Sequence, residues 1–319
     1  MSGDRIKGAF AGLAVGDAAG WPSARHRAAL HAPWSRRLHR ELDAFAEEHR
    51  VTTLPVPFAL NQPVAPLRIG PSDDAEWLAW TALTIDRPRA EAFRELTDVR
   101  ARISVATALD NLAKGVEPPA SGHDNPHHFD DAAAIRAVAF GALGRDPTRD
   151  AQVTNAGDGV LGARAMAAAV AEAVASGDAV RAVEAALAEL PGDTAIGHNA
   201  RLALAAARAA GDPFGAIPAL DAALLDHVYS YGVGAAQTVP VALALAEVAG
   251  GELGRAVPAA ACLAPLADSA PALTGALTGA CGGYDAIPEG WIAPARTLAG
   301  CCLPDLAGRD LIELVEGIA

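Results

Sequence analysis

The sequence predicts an all-α fold, a single compact multi-helix domain over residues 1–319, and three observations lead there. Alanine is abundant, aromatic residues make up only 5% of the chain, and runs of β-branched residues are sparse. The apolar residues, 51% of the total, fall in long stretches with helical rather than alternating spacing. A chain of 319 residues that is half apolar can bury one large core without dividing in two.

Taken in order, the first helix is expected over Asp4 to Ala19, where Ile6, Phe10, Leu13 and Val15 carry the apolar face up to the Gly16-Asp17 step. From Trp21 to Pro71 the chain reads as irregular, with a basic stretch at Arg36, Arg37 and Arg40, a short helix near Glu41 to His49, and a proline-rich linker. Loops this long inside a compact domain are usually functional or mobile. Pro71-Ser72-Asp73-Asp74 then starts a helix through Trp80, and helices follow around Glu91 to Leu112. A turn-rich loop covers Gly115 to Phe129, and a helix begins near Asp130. The alanine-rich region from Val160 to Ala210 reads as two or more helices, broken at Gly177 and at Pro191-Gly192. Helices around Pro240 to Val248, Leu253 to Leu263 and Ala272 to Ala280 precede a tail helix over Asp305 to Ile318.

A formal charge of −13 argues against a nucleic-acid partner, which needs surplus Lys and Arg on one face. An anionic small substrate would rely on local help from metal ions or from backbone N–H groups at helix N-termini. Cys262, Cys281, Cys301 and Cys302 lack metal-type spacing and read as reduced core thiols. No run approaches about 20 apolar residues free of charge, so no membrane span is expected and a cytoplasmic location is the consistent choice.

Two acidic motifs carry the candidate chemistry. Ser72-Asp73-Asp74 sets two carboxylates beside a hydroxyl, hard oxygen donors suited to Mg²⁺. The same residues also read as an ordinary helix start, with Ser72 as N-cap and Asp73, Asp74 and Glu76 in the first turn. Asp268-Ser269, ahead of Pro271 and another apolar helix, carries the same two readings. Spacing alone favours the helix cap over the metal, and neither motif is specific by itself.

Context adds weight. The segment from Arg5 to Gly20, RIKGAFAGLAVGDAAG, resembles the N-terminal signature of the ADP-ribosylglycohydrolase family. Ser72-Asp73-Asp74 is similar to that family's Thr-Asp-Asp motif, and Ala267-Asp268-Ser269 with Ala272 to Ala280 is similar to its Asp-x-Asp-Thr motif and following helix. Tyr231-Gly232, Gln237-Thr238-Val239-Pro240 and Ile287 to Trp291 fall in family-like order, so the resemblance spans nearly the whole chain. It implies a helical fold whose metal ligands, distant in sequence, meet at one cleft. There Mg²⁺ or Mn²⁺ holds ribose hydroxyls while water attacks the anomeric carbon, releasing ADP-ribose from a modified protein or a smaller ribosylated molecule. On this basis Ser72, Asp73, Asp74, Asp268 and Ser269 are the expected metal ligands, and Asp74 and Asp131 the expected catalytic carboxylates. Asp17, Asn155 and Arg136 are the expected substrate contacts.

The departures from the family pattern are specific. Leu266 stands where the family has the first Asp of Asp-x-Asp-Thr, and Ala24 falls near a frequent family glutamate; neither can ligate. The expectation is therefore one metal ion rather than two. Asp131, in Asp130-Asp131-Ala132 to Arg136, replaces a family amide, and Asn155 replaces a histidine in Thr-His. Asp131 reads either as a base, replacement ligand or sugar contact, or as a solvated helix N-terminus. His123, His127 and His128 have no fixed ligand spacing and read better as a loop lining the cleft than as a transition-metal site. Trp77 and Trp80 read as core, and Tyr229 and Tyr231 as either a nucleoside pocket or helix-end packing. The expected activity is metal-dependent hydrolysis of a ribosyl bond; the rival is a non-catalytic member that binds ADP-ribose or a nucleotide without turnover.

Overall fold

Helix N-terminal signals and apolar faces are realised along the computed structural model, which describes residues 2–29, 47–48, 50, 70–225 and 232–318, with side chains of the first segment through Gly20. The basic stretch at Arg36, Arg37 and Arg40, the proline-rich linker, nearly all of the expected helix near Glu41 to His49, the side chain of Ala24, and both Tyr229 and Tyr231 lie outside the described residues. The described residues form helices α1 (Ser2–Ala29), α2 (Asp73–Leu83), α3 (Arg89–Arg94), α4 (Ile103–Ala113), α5 (Ala120–His123), α6 (Ala132–Ala142), α7 (Thr148–Thr154) and α8 (Asp158–Ser176). Then follow α9 (Ala179–Ala188), α10 (Ala195–Ala210), α11 (Pro213–Leu224), α12 (Ala235–Val248), α13 (Leu253–Ala261), α14 (Ala270–Gly282), α15 (Glu289–Ala295) and α16 (Leu311–Glu316). Among the described residues there is no β-strand, only isolated bridges such as Asp130 with Gly234. The fold is all-α.

Two helices form the centre. Every residue of α6 is buried, and so is every residue of α14 from Ala270 through Cys281. Helices that are apolar or small all round belong inside a core rather than at its surface. Helix α8 is long and apolar enough by length and composition to cross a membrane, yet more than half of it is buried, and it packs against α6 and α9.

Helix α1 lies on α14 at very close range. Gly8, Gly12, Gly16 and Gly20 recur every four residues, so all four share one face. A Cβ at Gly12 would collide with the carbonyl oxygen of Gly275, and a Cβ at Gly275 would collide with that of Gly12. Gly16 meets Pro271 and Gly20 meets Ala267 in the same way, which carries the contact down to the start of α14. The helix expected to end at Ala19 therefore does not end there. The glycines are contact points, and the helix runs on to Ala29.

Other boundaries moved for local reasons. The helices expected around Glu91 to Leu112 are α3 and α4, with Asp98 between them at φ 53. Asp130 is held in an antiparallel bridge with Gly234, so α6 begins at Ala132. Gly177 closes α8 in the left-handed conformation at φ 75, as its position implied, and Asp178 caps α9 through the amides of Val180 and Arg181. Helix α11, absent from the expected elements, begins at Asp212-Pro213, with the Asp212 side chain accepting from the amide of Gly215.

The segment 301–303 is tied to α2 by one carboxylate. Glu76, fully buried, accepts hydrogen bonds from the amides of Cys301, Cys302 and Leu303, each at 2.8 Å. The carbonyl of Cys302 accepts in turn from the amide of Arg100 at 3.0 Å.

Candidate functional site

Four helices begin at one place. Ser72, Arg102, Asp131 and Ser269 are the N-cap residues of α2, α4, α6 and α14, and none of them caps its own helix with its side chain. Their side chains turn toward one another instead. The positive ends of several helices then face one point, which favours carboxylates there.

Asp17 and the tertiary contacts set this arrangement. The Asp17 carboxylate, on α1, accepts from the amide of Ser72 at 2.6 Å, from the amide of Ala75 at 3.1 Å, and from the Ser72 hydroxyl. It thus caps α2 from another helix. The amide of Asp131 donates to the carbonyl of Val233 at 2.9 Å, and that of Ala235 to the carbonyl of Phe129 at 3.0 Å, which fixes the start of α6.

At the centre sits a residue that sequence reasoning missed, Arg102. Its Nε donates to Asp73 Oδ2 at 3.1 Å, its Nη1 to Asp131 Oδ1 at 2.6 Å, and its Nη2 to Asp74 Oδ1 at 2.6 Å and Ser269 Oγ at 3.0 Å. Asp268 Oδ2 stands 3.7 Å from Nη2. The Ser269 hydroxyl also donates to Asp131 Oδ1 at 3.3 Å. The structure therefore brings Asp73, Asp74, Asp131, Asp268 and Ser269 together, with Ser72 joined through Asp17 and its 3.3 Å contact to Asp73. Asp74 and Asp131 are buried, the Arg102 side chain is 13% exposed, and Asp73 and Asp268, at 24% and 34%, form the side of the cluster that reaches solvent.

The electrostatics follow from burial and crowding. Burial first, then the charge of Asp73, pushes Asp17 up to about 7 against its hydrogen bonds to Ser72 and Ala75. Burial raises Asp131 to about 7, and raises Asp74 well above the ordinary carboxylate range, although Arg102 pulls both down. The second oxygen of Asp74 is buried without a hydrogen-bond partner among the described residues. For Arg102 burial works against the charge, and the carboxylates of Asp73, Asp74, Asp268 and Asp131 outweigh it, so the guanidinium stays cationic.

Arg136 and Asn155 are not brought to this cluster. Arg136 has no exposed surface and donates to Asp150 Oδ2 at 2.7 Å, to Thr154 Oγ1 at 2.7 Å and to the carbonyl of Ala132 at 3.2 Å. Asn155 donates to Asp130 Oδ1 at 2.9 Å and to the carbonyls of His128 and Asp130. Both belong to a buried network that anchors the entry to α6, the helix that carries Asp131 at its start. Leu266 is fully buried, as core, and cannot ligate.

The remaining candidates separate by burial. Trp77 and Trp80 are core, packed edge-on at 5.4 Å between ring centroids and completed by Phe93. Among the histidines, His123 and His128 stack at 6.4 Å, and His128 Nδ1 lies 2.9 Å from the carbonyl of Asn125. All four cysteines are free thiols, but Cys262 is exposed rather than core, because it follows α13 at the surface.

The expected Mg²⁺ or Mn²⁺ can be tested against this geometry. Four carboxylates and two hydroxyls are suitable hard donors. A guanidinium, however, stands where the carboxylates converge, and among the described residues no three His, Cys, Asp or Glu side chains are grouped to hold a metal ion. The residues do not fit a divalent ion with Arg102 in this position.

Comparison with known proteins bears on the whole arrangement. A family model described as ADP-ribosylglycohydrolase matches residues 2–318. No curated protein matches the chain in sequence. Among solved structures, one titled "ADP-ribosylglycohydrolase-related protein complex" is similar at 19% identity and a TM-score of 0.56, over 99% of this chain and 98% of that one. At that identity the likeness speaks for the fold.

Proposed function

The chain belongs to the ADP-ribosylglycohydrolase family, and from that premise we propose that it hydrolyses a ribosyl bond in an ADP-ribosylated protein or a smaller ribosylated molecule at the cluster around Arg102. One observation carries the reading: Asp73, Asp74, Asp131 and Asp268, scattered through the sequence, converge on a single guanidinium at an edge open to solvent.

The chemistry follows from that charge arrangement. Cleavage of a ribosyl bond builds positive charge on the anomeric carbon. Four carboxylates against one guanidinium, even with some of them protonated, leave negative charge available to stabilise it. Asp73 and Asp268, which reach solvent, accept hydrogen bonds from ribose hydroxyls, and one of them orients the attacking water and takes its proton. Asp74 and Asp131, expected from sequence as the catalytic pair, act in this reading through Arg102, holding it in place. Asp17, Asn155 and Arg136 hold the helix starts rather than the substrate. A cytoplasmic setting, with the four thiols reduced, belongs to the same proposal.

A second reading, binding of ADP-ribose without turnover, is favoured by the extent to which Arg102 occupies its carboxylate partners. Assay of ADP-ribosyl-arginine, ADP-ribosyl-serine, O-acetyl-ADP-ribose and simple nucleosides, with wild type and Asp73→Ala, distinguishes the two. Hydrolysis lost in Asp73→Ala supports the hydrolase. ADP-ribose binding in calorimetry with no turnover of any substrate supports the binding protein, and activity indifferent to Asp73→Ala refutes the assigned site.

A further inference from the structure

We propose that Arg102 replaces the divalent metal, so that this site carries its cation as a side chain and works without a bound metal ion. The proposal rests on the family reading for the identity of the site, and on four observations for its content.

The first is position. Arg102 meets, at one point, the side chains of Asp73, Asp74, Asp268 and Ser269, which the sequence pattern marks as the ligand set, and adds Asp131. A guanidinium and a metal cannot share that point, because each carboxylate oxygen at 2.6 Å from a nitrogen is already in van der Waals contact with it.

The second is that the helix does not account for the residue. Arg102 is the N-cap of α4, where the helix macrodipole disfavours a cation and where Ser, Thr, Asp or Asn would satisfy the free amides. What holds it there is the acid cluster.

The third is anchorage. The amide of Ala106 donates to the carbonyl of Arg102 at 2.9 Å, and the amide of Arg100 donates to the carbonyl of Cys302, whose own amide is held by the buried Glu76. Both sides of Arg102 are therefore fixed. The side chain, 13% exposed, is built into the protein rather than lying across a surface.

The fourth is the loss of two of the oxygen donors in the family pattern, which leaves a partial ligand set around Arg102. Leu266 and Ala24, at positions where the family pattern has acids, offer no oxygen. A centre that gave up two of its oxygen donors while gaining a buried cation among the remaining acids has changed the chemical identity of that cation. The change has a consequence for binding: a guanidinium presents N–H donors in fixed directions and has no open coordination position. Substrate oxygens would approach by hydrogen bonds, in a geometry set by the protein and not by an octahedral ion.

The test is titration of the full-length protein with Mn²⁺, followed by paramagnetic resonance of the free ion and by thermal unfolding, for wild type, Asp73→Asn and Arg102→Ala. Wild type is expected to show no saturable Mn²⁺ binding and no shift in Tm. Arg102→Ala is expected to gain one saturable site and a rise in Tm of about 5 °C at saturating Mn²⁺. Should Arg102→Ala fold only when Mn²⁺ is present, that rescue supports the replacement equally. Saturable binding to wild type that disappears in Asp73→Asn overturns the proposal, as does a folded Arg102→Ala that ignores Mn²⁺. These readouts do not involve turnover, so a failure to find a hydrolysable substrate leaves them intact, and a metal-binding wild type leaves the hydrolase reading standing.

Discussion

Asp17 of α1 receives both the backbone amide and the hydroxyl of Ser72, and so it supplies to α2 the cap that Ser72 occupies by position but does not make. The first turn of α2 carries Asp73 and Asp74, so the residue that orients these two acids lies on a different helix. Asp17→Ala should leave the amides of Ser72 and Ala75 without their acceptor and cost about 1–3 kcal/mol. Asp17→Asn, which keeps one acceptor oxygen, should cost less. Denaturant unfolding checks the order, and equal midpoints for wild type and Asp17→Ala would remove the capping role.

Contact between α1 and α14 depends on the absence of side chains at their crossing. Gly12→Ala should lower stability by roughly 1–3 kcal/mol or more, since the added carbon meets backbone on α14 and not a movable side chain. Gly3→Ala, on the same helix with nothing within 4 Å, should be neutral or stabilising by up to about 1 kcal/mol. A Tm for Gly12→Ala that matches wild type would contradict the close approach.

Thiol reactivity should divide the cysteines. Burial pushes the Cys281 thiol up to about 12, and burial likewise raises Cys301 and Cys302. Cys262 is exposed. Iodoacetamide at pH 8 should label Cys262 in the native protein and all four after denaturation, as read by mass spectrometry. Native labelling of Cys281 at the rate of Cys262 would argue against its burial.

Acid should weaken the start of α16. Burial is the largest single influence on the Asp310 carboxyl and raises it, but the hydrogen bonds from Arg296 and from the amides of Glu313 and Ile312, with the charge of Arg296, together hold it below its ordinary value. A lowered folded pKa means that the stabilisation is complete above the unfolded value near 3.8 and is lost as pH falls through the folded one. With both partners partly exposed the effect is about 1 kcal/mol or less. Comparing Asp310→Asn with wild type from pH 7 down to pH 2, the stability gap should close as acid is added; a gap that widens would reverse the assignment.

Local sequence signals carried the all-α fold, because apolar spacing and left-handed glycine stops such as Gly177 act within one or two turns. They also carried the acids, since Asp73, Asp74 and Asp268 sit in recognisable helix-start patterns. Arg102 was not legible in that way. Its partners lie on α2, α6 and α14, and nothing in the residues beside it distinguishes an arginine headed for a carboxylate cluster from one headed for solvent. The α1 crossing lay between these cases: the four-residue spacing of Gly8, Gly12, Gly16 and Gly20 was visible, but only the partner helix reveals the close contact that it permits. Arg136 and Asn155 occupied motif positions in the sequence, and burial turned them into supports of α6.

The Glu76 carboxylate and the amide of Cys301 are 225 positions apart in the chain. The same segment holds the amide of Arg100, so the seat of Arg102 among its acids is braced by a contact between residues far apart in the chain. Completion of the site is therefore tied to long-range loop closure and not only to the fast formation of the individual helices.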